Sequence, residues 1–517
     1  MGNNPGHEQR NQSDLIRAMI NGKEALIDPQ QLSILLKRWD ETLNTDLYEV
    51  RMAAGYALSG MGDRTAVFEL FYRQNPFKGG FCVCAGLQQA VEYIENLRLY
   101  QSDLDFLRKE CGMSEEMARL FSENFRFDGD LYAVPEGTVI FPNVPILKVR
   151  AKLPIAQFIE TAILSIIGHQ TLIATKAARL CLASEGTPIV EFGSRRAHGV
   201  EAAYYGARAA YIGGCIGTSN VKAARDFHIP AIGTHSHSWV ESFPDEVTSF
   251  REFARLFPDI AVLLVDTYDT LKSGVPNAII IAKELEAQGH RLLGIRLDSG
   301  DLAFLSKKAR KMLDEAGLNY VKIVASNDLD EHIIENLLLQ GAYINLYGVG
   351  TKLITAFPEP ALGQVYKLTA VEDDGGIIMP RIKLSSNVEK ITNPGDKRII
   401  RYRDESGFFK SDVLFLEDEP IPQGPFMAYD QMFRYLHEEI DPRSMPGEEL
   451  LVPVYKKGKL VYEFPSLPDI QERAKKQLDS LMDEYKRLLN PDVYRVFLSK
   501  RLFDLKQRLI NEYSPEL

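Results

Sequence analysis

From Pro188 onward the chain repeats one unit: a short apolar run, a polar or glycine-rich corner, then a helical stretch. The runs are Ile189–Phe192, Tyr211–Ile216, Ala231–Ile232, Val262–Val265, Leu292–Leu297, Val321–Ala325 and Tyr343–Tyr347. Near-continuous apolar runs of this length, alternating with helices, are strands covered on both faces, which is the parallel α/β arrangement. Seven such units lead us to expect an α/β fold with an irregular (β/α) TIM-like barrel, whose functional groups sit where strands end. A doubly wound open sheet is the alternative, because counting units does not close a ring.

The flanks read differently. Leu15, Ile16, Met19 and Ile20, then Leu32, Leu35 and Leu36, have helical spacing, so residues 1–40 are expected to form a helical extension behind a disordered start of about 13 residues. Residues 41–155 read as the first part of an α+β lobe. Thr45 would cap a helix, Ala66–Tyr72 would be a strand, Arg73–Gly80 a polar turn, and Leu87–Leu97 a helix. Short β-segments fill Phe127–Ala151, and Pro154–Ser184 is one long helix or two abutting ones. The barrel is expected over 156–370. Asp373–Gly376 is then a hairpin turn, Pro380–Tyr402 is β-like, and the chain beyond Pro468 reads as amphipathic helices broken at Pro491. Residues 371–517 would complete the lobe, with the barrel inserted between its two halves.

Composition removes several functions. With Lys+Arg 60 against Asp+Glu 71 the net charge is −11, which argues against nucleic-acid binding through a basic surface but leaves room for small phosphate pockets. Five cysteines in 517 residues are too few, and odd in number, for a disulfide framework, and Cys82-Val83-Cys84 lacks a second pair at metal spacing. The first residues have no apolar signal core, the myristoylation pattern fails at Gly6, and no run of about 18 apolar residues exists. A cytoplasmic protein without a membrane span is expected.

The corners carry the chemistry. Gly233-Thr234-His235-Ser236-His237-Ser238-Trp239 crowds two histidines and several hydroxyls behind a strand, and histidine acts as base, acid or nucleophile near neutrality. Gly348-Val349-Gly350-Thr351 offers free backbone N–H groups to a phosphate, although alone such a sequence is more often a tight turn. Asp298, Asp301 and Asp328 at neighbouring strand ends suit ribose hydroxyls or Mg²⁺, and Arg195, Arg196 and Arg296 suit bidentate phosphate contacts. The bland alternatives are solvated loop aspartates and surface ion pairs. Neither a P-loop nor a dinucleotide fingerprint is present. Together, the corners fit a small substrate carrying phosphate and ribose. A sugar-phosphate aldolase or isomerase would need a Schiff-base lysine or a general-base carboxylate at a strand end, and Lys352 is the one obvious strand-end lysine; a non-catalytic protein on the same fold would have lost these side chains.

Seven of these segments, FGSRRAHG (192–199), GTSNV (217–221), GTHSHSW (233–239), VDTYDT (265–270), RLDSGDL (296–302), ASND (325–328) and GVGT (348–351), resemble those of nicotinate phosphoribosyltransferases. TDLYE (45–49), FYRQNPFKGGF (71–81) and KLSSNVEKITNPG (383–395) are similar to that family's other segments, so the resemblance spans roughly residues 45–400. It implies the joining of nicotinate to 5-phosphoribosyl 1-diphosphate, giving nicotinate mononucleotide and diphosphate, with coupled ATP hydrolysis and Mg²⁺. It also implies an irregular barrel with a two-ended lobe, in a homodimer that shares its active sites. His237 matches the histidine that ATP phosphorylates, and Asp266 would orient it. Phe192 and the partner's Tyr48 would stack on the pyridine ring, while Arg195 and Arg296 would meet phosphate or carboxylate. Asp298 and Asp328 would contact ribose and metal, and Gly350 with Thr351 would bind the 5-phosphate. Arg73, Lys383 and Ser385 are further phosphate candidates. Ser219 stands where the related nicotinamide enzyme has an aspartate, which implies a preference for the acid. His169 departs from the family pattern and reads as a locally satisfied helix residue.

Overall fold

The computed structural model describes residues 16–20, 23–27, 41–123, 125–433 and 435–514. Six strands, Ile189–Glu191, Gly217–Thr218, Val262–Leu264, Gly294–Leu297, Lys322–Ala325 and Leu346–Val349, form one sheet in which every pairing is parallel. A seventh position is a single bridge from Ala231 to Thr218. The last strand pairs with the first, Tyr347 opposite Ile189. Ala231 and Val262–Leu264 therefore stand at the two free ends of the ladder. These ends lie side by side, because the His235 ring accepts a hydrogen bond from the Leu264 N–H at 3.2 Å. Among the described residues the barrel expectation thus reduces to a curled parallel α/β sheet whose backbone ladder has one open seam.

Two runs are shifted from their expected places. Tyr211–Ile216 ends the helix Val200–Ile212, and the strand is Gly217–Thr218 itself, in what was read as the corner. The last strand likewise runs to Val349, so half of the glycine corner is strand. Both segments are glycine-rich, and glycine blurs the boundary between strand and loop.

The second sheet has seven antiparallel strands and draws on both ends of the chain. Its order is Ile378–Pro380, Gln364–Glu372, Thr65–Tyr72, Leu147–Lys152, Asp130–Ala133, Val452–Lys456 and Lys459–Leu460. Gln364–Glu372 begins within the stretch assigned to the barrel, so the crossing back into this sheet comes earlier than residue 370. Thr65–Tyr72 is buried on both faces, including Glu69, whose charge meets Lys397 at 3.0 Å. Such a strand needs its mid-strand carboxylate paired, since an isolated charge in the interior is prohibitive.

A third sheet of six strands contains Lys397–Arg403, Phe409–Leu416 and Val496–Leu498. The last of these lies in the segment read as purely helical, between Leu467–Asp479 and Lys500–Tyr513. A three-residue strand is too short to leave a period in the sequence. The Pro154–Ser184 stretch resolves into two abutting helices, Leu153–Phe158 and Glu160–Ala183. The helix at Thr45 is Leu47–Leu58, with Asp46 rather than Thr45 at the N-cap; the Thr45 hydroxyl bonds Glu49 instead. Arg73–Gly80 contains the buried residues Pro76 and Phe77 in a short 3₁₀ turn, so it is less polar than expected.

The first of the two N-terminal helices is not formed. Ile16–Ile20 and Lys23–Ile27 pair as an antiparallel hairpin. The Asn21-Gly22 dipeptide between them is the strongest short-range hairpin signal, and it outweighs the weak helical period of so short a segment. The disordered start and the second helix, around Leu32–Leu36, lie outside the described residues.

Candidate active site

The corners at the C-terminal ends of the parallel strands meet around His237 and Arg296. His237 opens a short helix, His237–Glu241, and its side chain is 41 % exposed. Its Nδ1 lies 3.2 Å from the Thr267 hydroxyl and its Nε2 lies 3.7 Å from Asp298 Oδ2. Asp266, expected to orient it, is engaged elsewhere: its Oδ2 accepts from the Asp298 N–H at 2.8 Å and from the Ser299 hydroxyl at 2.7 Å. The carboxylate facing His237 is Asp298. Asp266 and Asp298 end adjacent strands, and sequence alone does not say which one leans toward the third corner. Asp266 Oδ1 is buried without a hydrogen-bond partner.

Arg296 holds the corners together. Its Nε donates to the Ser326 hydroxyl at 2.8 Å, one Nη to the Thr234 hydroxyl at 2.9 Å, and the other to Asp298 Oδ1 at 2.8 Å. A guanidinium has five N–H donors, so this network leaves two for a ligand. Burial alone would raise the Asp298 carboxyl, but the Arg296 charge and the hydrogen bonds from Ser326 and Arg296 outweigh it and hold the group below the usual carboxylate range. Asp298 is thus an anion at neutral pH, beside both a cation and an imidazole.

Phe192 follows the first strand, and its N–H donates to the Val349 carbonyl at 2.8 Å. Its ring lies with the Arg296 guanidinium 5.6 Å from the centroid. The ring occupies the place where a Cβ at Gly348 would sit, so glycine is required on that strand. An aromatic face beside a cation suits a planar aromatic acid. Arg195 projects from the 3₁₀ turn Ser194–Arg196; it is exposed and makes no ion pair with a described residue. Ser219 is also exposed, and its N–H donates to the Glu191 carbonyl at 3.0 Å.

Sequence reasoning missed Glu191. It is fully buried at the first strand end, bonded to the Thr218 hydroxyl at 2.6 Å and to the Gly193 N–H. Burial outweighs those bonds and raises its carboxyl. The signal was present: a glutamate inside an apolar run is rarely buried unless its partners are built in. Thr234, Thr267 and Ser326 were also missed, because hydroxyls in loops carry no distinctive pattern.

The remaining candidates are less closely drawn in. Asp328 is exposed behind Asn327, whose φ of 94° turns the chain at the strand end. Gly350 leads into the four-residue helix Thr351–Ile354, and both Gly350 and Thr351 are partly buried. Arg73, Lys383 and Ser385 belong to the lobe. Arg73 donates its N–H to the Gly363 carbonyl, Lys383 its N–H to Thr392, and Ser385 accepts from the Asn387 N–H. Tyr48, 47 % exposed, stands on the surface of Leu47–Leu58 with Leu47 and Met52 also exposed beside it. Burial and the neighbouring Glu160 and Glu49 raise its phenol, and burial pushes Glu49 up to about 7. Among the described residues, no hydrogen bond or ion pair joins these four side chains to His237, Asp298 or Arg296. His169 is largely shielded, and burial lowers its ring, with His198 acting in the same direction.

The corner after Val262–Leu264 is made by an unusual turn. Thr270–Gly274 is a π-helix, a form that recurs at functional sites. A Cβ at Gly274 would collide with the Val265 carbonyl, so this turn tolerates only glycine. Asp269 caps it, accepting from the Leu271 and Lys272 N–H groups.

Three family models together match most of the chain. The N-terminal domain of nicotinate phosphoribosyltransferase matches residues 43–168, the nicotinate phosphoribosyltransferase family residues 187–397, and its C-terminal domain residues 396–506. The chain belongs to the nicotinate phosphoribosyltransferase family. Nicotinate phosphoribosyltransferase of Bacillus subtilis is 47 % identical over 481 residues, covering 92 % of this chain and 96 % of its own. The crystal structure of human nicotinic acid phosphoribosyltransferase superposes with a TM-score of 0.80 at 32 % identity, covering 90 % of this chain and 99 % of that one. A nicotinate-nucleotide pyrophosphorylase from Pyrococcus furiosus, 22 % identical with a TM-score of 0.65, covers 86 % of this chain and 96 % of its own and shares the fold. Among the described residues no helix is long and apolar enough to cross a membrane.

Proposed function

We propose that this chain is an ATP-coupled nicotinate phosphoribosyltransferase in which His237 carries the phosphoryl group. The observation that carries the reading is the His237–Asp298–Arg296 cluster at the strand ends, in a chain of this family. In the reaction the pyridine nitrogen of nicotinate bonds to C1 of 5-phosphoribosyl 1-diphosphate as the C1–O bond to diphosphate breaks. Phe192 and Arg195 would hold the aromatic acid, with the partner subunit's copy of Tyr48 completing the site in a homodimer. Arg296 would offer its two remaining donors to phosphate or carboxylate. The 5-phosphate would rest on the N–H groups at Gly350 and Thr351, and Arg73, Lys383 and Ser385 would meet other phosphates from the lobe.

In the coupled half-reaction, a proton on Nδ1 held by Thr267 leaves the Nε2 lone pair to take the γ-phosphoryl group of ATP, releasing ADP. Water later removes that group as phosphate. Asp298, beside Nε2, would attract the positive charge that the ring gains as it takes the phosphoryl group, its repulsion of the phosphate being offset by Mg²⁺.

The donor set suits Mg²⁺. This ion takes one or two carboxylates and completes its shell with water and substrate oxygens, so no cage of three protein ligands is needed. Asp298 and Asp328 would hold it, and Asp266, whose Oδ1 is buried without a hydrogen-bond partner, stands at the end of the neighbouring strand. When bound, the ion would neutralise charge on the diphosphate.

The test is product formation from nicotinate and 5-phosphoribosyl 1-diphosphate, with and without ATP. Nicotinate mononucleotide and diphosphate are expected in equal amounts, with ATP raising the yield. Absence of the mononucleotide under both conditions would overturn the assignment.

A further inference from the structure

We propose that His235 is a positioning residue that closes the open seam of the parallel sheet and so fixes the loop that presents His237. The proposal rests on the assignment of His237 as the phosphoryl acceptor. In the parallel ladder, the Val265 N–H donates to Arg296 on one side, so the preceding N–H, that of Leu264, points to the other side, into the seam. No strand stands there to receive it. His235 Nε2 does so, at 3.2 Å. On the far bank the chain is held by the Thr218 N–H to Pro230 and the Ile232 N–H to Thr218. A side chain thus replaces the backbone acceptor that a neighbouring strand would supply, and a buried N–H needs one.

That bond decides the tautomer. A backbone N–H only donates, so Nε2 carries the lone pair and the proton is on Nδ1, which faces the Ser236 carbonyl at 3.3 Å. With both nitrogens committed, His235 has no lone pair left to attack phosphorus. The ring is 7 % exposed and packs 4.7 Å from Phe253 and 6.2 Å from Phe250, centroid to centroid. Burial is the main reason its protonation falls to about 4, with Arg296 and His237 pushing the same way, so the neutral form persists at working pH. The loop is then tied down three times over: Thr234 to Arg296, His235 to Leu264, and His237 to Thr267. Loss of the middle tie would leave His237 on a loop with one bank loose.

The test uses the full-length protein. In the unmodified enzyme, ¹⁵N shifts of His235 should report a protonated Nδ1 and a bare Nε2 across the working pH range. The opposite tautomer, or an imidazolium, overturns the proposal. His235→Phe keeps the packing on Phe250 and Phe253 but removes the acceptor, whereas His235→Gln restores an acceptor oxygen. Per mole of folded protein, His235→Phe should speed exchange of the Leu264 amide and lower kcat by roughly tenfold or more, since one buried bond is lost. KM for nicotinate should stay within about threefold, because Phe192, Arg195 and Ser219 sit on other strands, and His235→Gln should recover both readouts. Unchanged Leu264 exchange, full kcat in His235→Phe, or a His235→Gln as impaired as His235→Phe would each overturn it. If the unmodified protein takes no phosphoryl group from ATP, the phosphohistidine reading fails, and the tautomer and the Leu264 exchange still decide the seam.

Discussion

The two ring nitrogens of His237 meet different groups, Thr267 at Nδ1 and Asp298 at Nε2, and this division sets what the residue can do. Asp298 also neutralises Arg296, so its charge serves two neighbours, whereas Asp266 supports the backbone of the Asp298 corner. We expect Asp298→Asn to lower kcat by about 10² or more, the scale of losing a preorganised charge in a site, and Asp266→Asn to cost less. Steady-state kinetics of the two variants rank them, and a larger loss in Asp266→Asn contradicts this geometry. At Ser219 the question is which base is accepted. A serine hydroxyl donates to a carboxylate, while an aspartate repels it and accepts from an amide. The unmodified enzyme should therefore prefer nicotinate over nicotinamide by about 10⁴ in kcat/KM, and Ser219→Asp should erode nicotinate use far more than nicotinamide use. Equal or better turnover of nicotinamide by the unmodified protein would refute that. The corners that meet around His237 in the structure were legible in sequence as a set, because they lie at the ends of apolar runs and polar groups there have few structural reasons to cluster. Their pairing was not: the choice of Asp298 over Asp266 depends on how adjacent corners lean, which no local pattern encodes.

At the scale of elements, the seam gives the fold an acid-sensitive joint. The ordinary histidine pKa is near 6.5, and His235 in the folded protein sits at about 4. Above pH 6.5 both states are neutral and the contribution is fully present. As pH falls from 6.5 toward 4 the unfolded chain binds the proton and the folded one does not, so stability is lost, by up to about 3 kcal/mol in total. Arg296 and His237 are the charges facing this ring and reinforce the loss. Urea melts from pH 7 to 4.5 should show a decline that flattens in His235→Gln; an unchanged slope in that variant would exclude His235 as the source. The π-turn makes a second prediction: Gly274→Ala should destabilise the protein by about 2–4 kcal/mol, because the new Cβ meets the fixed Val265 carbonyl rather than a flexible tip. A melting temperature equal to that of the unmodified protein would show that the turn relaxes. In the parallel sheet, the strands of three residues or more were readable from their apolar runs. The two-residue strand Gly217–Thr218 was misplaced by a few residues, since an element that short is defined by its neighbours, whereas the bridge at Ala231 falls on the run read there. The Asn21-Gly22 signal was in the sequence and was outweighed by an apparent helical spacing.

The whole molecule is built from one curled parallel sheet set between halves of an antiparallel lobe that draws strands from both ends of the chain. The strand order of that lobe was beyond the sequence, because Thr65–Tyr72 finds its partner some 300 residues later and nothing local records such a pairing. Tyr48 and its apolar neighbours Leu47 and Met52 are exposed on the surface of their own chain, and the proposed homodimer would bring this Tyr48 to the partner's site. Mixing Tyr48→Ala with His237→Ala under conditions of proven subunit exchange should restore part of the activity, since one site of each mixed dimer carries both native residues; no recovery argues that the site is not shared. The most direct test of the central claim is incubation with [γ-³²P]ATP followed by mapping of the label. The expected result is an acid-labile, base-stable phosphoryl group on His237 that is absent from His237→Ala and discharged as phosphate when nicotinate and 5-phosphoribosyl 1-diphosphate are added. A label on another residue, or none in an enzyme that ATP nevertheless stimulates, would contradict it.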